Sequence, residues 1–135
     1  MCRIILTIIV TLLLSNFAYA TNYACGPSAT GSGTGADYDN LLDIDTAAAS
    51  SSYRGHTLYL VDGAYSSLSV TAATSGTDYI TIKKAIASDY GGLANWVSTY
   101  GDGQAVFTSQ ITISTDYVVI DGNGTHTVPS NDTDD

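Results

Sequence analysis

Along the second half of the chain, one order of side chains keeps returning: apolar, small hydroxyl, apolar. It appears as Ser67-Leu68-Ser69-Val70-Thr71, as Tyr79-Ile80-Thr81-Ile82-Lys83 and as Gln110-Ile111-Thr112-Ile113-Ser114. A period of two turns the apolar side chains to one face of an extended backbone and the hydroxyl to the other, so each stretch predicts a short, half-buried strand. Leu58-Tyr59-Leu60-Val61, Ala105-Val106-Phe107 and Val118-Val119-Ile120 bring the expected strands to six. Upstream, Asp37 or Asp39 is placed to cap a short helix carrying Leu41, Leu42, Ile44 and Ala48.

The strands repeat as a set. TSGTDYITIKK (74–84) returns in altered form as ISTDYVVIDG (113–122), which aligns Ile80 with Val118. Stepping back one strand aligns Leu68 with Ile111, and one further aligns Leu58 with Val106. Three strands that return in the same order favour a coil in which each strand pairs in parallel with its equivalent one turn later. A meander of hairpins is the rival. Asp-Gly pairs suited to tight turns occur at 62–63, 102–103 and 121–122, but neither of the first two is flanked as a two-residue hairpin requires.

The order of Tyr23-Ala24-Cys25, a Gly/Ser loop, a DYDN-led segment, then TLYLVDGAYSSLSV and YITIKKA resembles the opening of secreted right-handed parallel β-helix proteins of the pectate-lyase-like superfamily. Within that superfamily its start is similar to that of chondroitinase-B-like and alginate-lyase-like polysaccharide lyases and of many uncharacterised secreted relatives. The resemblance spans most of residues 23–122 and implies an all-β fold, a right-handed parallel β-helix with an N-terminal cap and about two turns. It implies a carbohydrate-active, polysaccharide-lyase-like protein whose catalytic residues lie on later turns. No catalytic residue carries over to this chain. A non-catalytic surface, adhesin-type or carbohydrate-binding coil is the alternative. Two turns bury little and repeat folds generally need three or more units, so the chain is expected to be the front of a longer solenoid.

Composition sharpens this picture. Arg3, the apolar run Ile4–Leu14 and Ala18-Tyr19-Ala20 have the three-part form of a cleaved secretory signal, residues 1–20. The run is shorter than the roughly 20 residues a membrane span needs, so the expectation is a secreted or periplasmic protein with no membrane attachment after cleavage. The expected organisation is then a Gly/Ser-rich segment 21–36, a capping helix and loop 37–56, coil turns 57–122 with an insertion at 86–103, and a polar acidic tail or truncated turn 123–135. The whole chain carries a formal charge of −9. Beyond the signal, Arg54, Lys83 and Lys84 face thirteen aspartates and no glutamate. Such a surface repels nucleic acid. With Cys2 in the signal, Cys25 stands alone and no internal disulfide is expected.

Candidate chemistry is sparse. His56 and His126 are far apart and no zinc spacing occurs. Asp37, Asp39, Asn40, Asp43 and Asp45 suggest a calcium loop, but Leu41 and Leu42 occupy positions that such a loop gives to a ligand and a glycine. No metal site is therefore expected here, and calcium is an expectation only for a longer protein. Asp78 and Asp116 are repeat-equivalent, stacked about 4.8 Å apart in a coil, and read as turn-forming aspartates. Lys83 and Lys84 read as solubilising charges at a strand edge. The insertion IASDYGGLANWVSTYGDG holds Tyr90, the sole tryptophan Trp96, and Tyr100. These three are the expected carbohydrate-binding residues, since aromatic faces on a loop can stack on sugar rings; the competing reading folds Trp96 down as a lid over the side of the coil. Asn123-Gly124-Thr125 and Asn131-Asp132-Thr133 match the glycosylation sequon.

Overall fold

The computed structural model describes residues 21–122; the expected signal at 1–20, His126, both sequon matches and the expected acidic tail lie outside the described residues. Nine strands follow in chain order: β1 (Asn22–Gly26), β2 (Leu42–Asp43), β3 (His56–Leu60), β4 (Gly63–Tyr65), β5 (Leu68–Val70), β6 (Ile80–Lys84), β7 (Ala105–Phe107), β8 (Ile111–Ile113) and β9 (Val118–Asp121). One helix, α1 (Ile44–Ala48), precedes β3. The strands form three sheets: β2-β1-β3-β6-β9, β4-β7 and β5-β8. Every strand pair is parallel. The described residues are thus β-rich, in parallel sheets, with a single five-residue helix among them.

The recurrence seen in the sequence is physical pairing. Ile80 lies opposite Val118 and Leu68 opposite Ile111, in parallel register. The third expected match fails: Leu58 pairs with Ile82, and Val106 pairs with Ala64. The strand that intervenes is β4, Gly-Ala-Tyr, which has no alternating apolar pair to announce it. Only Tyr65 of its side chains is buried, and its hydroxyl donates to the Val61 carbonyl at 2.9 Å. Consequently β3 belongs to the same sheet as β6 and β9 rather than being the partner of β7. The strand triplet that recurs is β4-β5-β6 followed by β7-β8-β9.

Two upstream expectations also need correction. Asn22–Gly26, within the Gly/Ser-rich segment, form β1, which pairs with β3 from Asn22↔Thr57 to Cys25↔Leu60. Its Ala24 and Cys25 are fully buried small side chains, a composition that carries little strand signal. The helix cap is neither Asp37 nor Asp39 but Asp43, whose carboxylate accepts from the Thr46 amide at 2.9 Å. Leu41 and Leu42 precede the helix, and Asp37 instead closes a turn by accepting from the amides of Asp39 and Asn40. Helix α1 packs on β5, and the Ala48 carbonyl accepts from the Thr71 and Ala72 amides. It stands where a preceding strand of that sheet would stand.

Strand alternation sets the core. Leu58, Leu68, Val70, Ile80 and Ile82 are almost completely buried, together with Tyr65, Cys25 and Ile44. Burying each such aliphatic side chain contributes about 1.5–3 kcal/mol. On β8, the partner of β5, the same pattern is open: Ile111 is 41% exposed and Ile113 50%. Lys84 continues the inward row of Ile80 and Ile82 and is itself buried. The solubilising role expected for it is therefore wrong.

Arg54 ties two segments together. It ends a 3-10 turn (Ser51–Tyr53), and Gly55, at φ +78°, leads the chain into β3. Its guanidinium donates to the carbonyls of Ala73 (2.7 Å), Ala72 (2.8 Å) and Asp78 (3.0 Å), between β5 and β6. Between β8 and β9 it donates to the Asp116 carbonyl (3.1 Å) and the Thr115 hydroxyl (2.8 Å). Only 6% of the residue is exposed. The planar fork can hold a charge inside because each donor has an oxygen to meet. Asp78 and Asp116 thus serve this clamp through their carbonyls, while both residues remain exposed.

Candidate functional site

The segment 86–103 leaves the large sheet after Lys84 and returns at β7. It runs across the outer side of β1 and β3 as a strap. There it closes a second hydrophobic cluster, separate from the main core, built on Ala24, Tyr38, Leu41, Tyr59, Val61 and Ala85. Tyr38 is fully buried at its centre. The Tyr38 ring lies 4.9 Å edge-on from Trp96 and 5.4 Å from Tyr100, nearly parallel to it. Trp96 stacks on Tyr90 at 4.8 Å with 13° between planes. Burial pushes the Tyr38 phenol well above its ordinary range, and its hydroxyl donates to the Tyr90 carbonyl at 2.9 Å.

Tyr90, Trp96 and Tyr100, singled out in the sequence, are therefore brought together in one cluster, each only partly buried. Gly91 lets the strap approach this closely. Its φ of +73° suits glycine, and a Cβ there would stand 2.7 Å from Tyr59 Cε2. Asn22 adds a side-chain hydrogen bond to the Gly91 carbonyl at 2.8 Å.

Each end of the strap is fixed by a carboxylate. At its start, Asp89 accepts from the Tyr59 hydroxyl at 2.9 Å and lies 2.8 Å from the Lys83 ammonium, which also reaches Asp121 at 3.3 Å. Tyr59, Lys83 and Asp121 occupy one register position on three successive strands, facing outward. The hydrogen bond from Lys83 holds the Asp89 carboxyl below its ordinary value, and the same bond raises the Lys83 ammonium. Lys83 is thereby kept protonated, a poor base. Burial and the bond to Asp89 raise the Tyr59 phenol.

At the strap's other end, Asp62 lies 2.6 Å from the Lys84 ammonium and accepts from the Gly103 amide, while its own amide donates to the Tyr100 carbonyl at 2.9 Å. Burial alone would raise the Asp62 carboxyl; the Lys84 and Gly103 hydrogen bonds outweigh it and bring the carboxyl below its ordinary value. Lys84 also donates to the carbonyls of Ala85 and Tyr100. Beside this pair a cleft of about 500 Å³ opens between the last strands, walled by Leu60, Ile82, Phe107, Ile111 and Ile120.

His56 starts β3 rather than standing in a loop; its Nδ1 accepts from the Thr21 amide at 2.9 Å. Cys25 is buried, which pushes its thiol up and makes it a poor nucleophile. Sequence reasoning missed Tyr38, Tyr59, Asp62, Asp89 and Arg54. The available clues were Asp62-Gly63, read only as a turn, and Arg54, the lone arginine after residue 20. No group of three or more metal-ligating side chains occurs among the described residues. Comparison of the chain with protein-family models, curated proteins and solved structures finds no match.

Proposed function

We propose that these residues form the cap and opening turns of a secreted, right-handed parallel β-helix of polysaccharide-lyase-like type, and that they engage polysaccharide through the aromatic strap. The observation that carries this reading is the ordered recurrence of β4-β5-β6 as β7-β8-β9, each strand parallel to its equivalent. A winding chain gives this arrangement, whereas consecutive hairpins pair strands antiparallel. The apolar row exposed on β8 and β9 suits a coil that carries further turns.

A non-catalytic, binding-type coil is the second reading, favoured by one observation. Lys83, Lys84 and Arg54 are each committed to ion pairs or to carbonyl oxygens. An abstracting base for lyase chemistry would have to be neutral and within reach of the sugar. Titrating the purified chain calorimetrically with alginate, pectate and chondroitin tests both readings. Saturable binding that Trp96→Ala weakens is expected. Because the chain is acidic, added calcium or salt strengthens binding to a polyuronate by relieving repulsion. Absence of binding to all three polymers contradicts the proposal. Unsaturated product in the same mixtures favours the catalytic reading over the binding one.

A further inference from the structure

We propose that residues 86–103 are a strap that opens as a unit, ahead of the sheets, when the carboxylates of Asp62 and Asp89 lose their charge. Three observations carry this. First, the strap's aromatic residues pack on a cluster distinct from the main core, so releasing them leaves Leu58, Leu68, Ile80 and Ile82 covered. Elements that bury apolar surface separately can open separately. Second, no residue of the strap belongs to a sheet; its one ladder-like contact, Ile86 with Asp89, is internal.

Third, a carboxylate latch holds each end, by an ion pair at Asp89 and by a hydrogen bond from the strap at Asp62. The Asp62 carboxylate accepts from the Gly103 amide, faces Asp102 of the strap, and pairs with Lys84 of β6, which itself donates to the Tyr100 carbonyl. Asp89 faces Lys83 from β6 and Tyr59 from β3, with Asp121 of β9 sharing the same lysine. The sign follows from the pairing. Both carboxyls are lowered in the folded chain, so each latch is intact above the ordinary carboxylate range and is lost as pH falls through the lowered folded value. Neutralising Asp62 also strands the Lys84 ammonium in the interior without its counter-charge, which is the more costly break. The bonds between Tyr38 and the strap are neutral and do not change over this range.

Trp96, the only tryptophan, reports the strap directly. The whole chain is acidified from neutrality while Trp96 emission and far-ultraviolet circular dichroism are followed together, and chymotrypsin cleavage between residues 90 and 100 is followed at neutral pH. Trp96 emission is expected to shift to the red at a higher pH than the loss of strand signal. Asp89→Asn sits at the more exposed latch and should fold; at neutral pH it is expected to speed cleavage within the strap by up to about fivefold, the open fraction being what protease samples. Coincident Trp96 and strand transitions, or an Asp89→Asn cleavage rate equal to that of the unmodified chain, would overturn the proposal.

Discussion

Arg54 shows how much one side chain can hold when its donors are all used. Its partners are neutral oxygens on two separate segments, 72–78 and 115–116, so truncation removes a hydrogen bond from several part-buried oxygens at once. Arg54→Ala is expected to lower stability by about 3 kcal/mol or more. Arg54→Lys should recover only part of this, because three donors on a flexible stem replace five in a fixed fork. Urea unfolding midpoints of the two variants decide the matter; a loss below about 1 kcal/mol for Arg54→Ala would mean that water replaces the clamp. This role was not legible in the sequence. A cation counted against thirteen aspartates reads as surface charge, and none of its partners in the fold is an aspartate carboxylate. Lys84 was misread for a related reason: its position in the inward row is visible in the alternation, but a lysine there is credible only once Asp62 is known to face it.

Strand alternation was the legible part of the sequence, and register followed wherever the repeat contained apolar pairs. Ile80 with Val118 and Leu68 with Ile111 were both reachable because Ile-Thr-Ile and Leu-Ser-Val state which face is inward. Gly63-Ala64-Tyr65 makes no such statement, and β1 hides its burial in alanine and cysteine. The Leu68–Ile111 rung also separates strand position from strand energetics. Leu68 is 1% exposed and its partner Ile111 is 41% exposed. Leu68→Ala should cost about 2–5 kcal/mol, as cavity-forming changes do. Ile111→Ala should cost less, about 1–2 kcal/mol, since only part of its surface leaves water on folding. Equal losses, measured by thermal or urea unfolding, would mean that β8 is as enclosed as β5.

Taken together, the described residues are graded: closed where α1 and β1 cover the first strands, open where Ile111, Ile113 and Ile120 continue the inward rows but are left exposed, and braced on one side by an aromatic strap. The strap's existence was legible as an unusually long insertion with three aromatics. Its landing site was not, because Tyr38 and Tyr59 lie far from it in sequence and meet it only after the chain has wound. All of this rests on equivalent strands lying side by side in parallel. Cross-strand nuclear Overhauser contacts between β6 and β9 in the isotope-labelled chain measure that most directly. The account predicts contacts of Ile80 with Val118 and of Ile82 with Ile120, rising together along both strands. Contacts of Ile80 with Ile120 and of Ile82 with Val118, the antiparallel set, would contradict it.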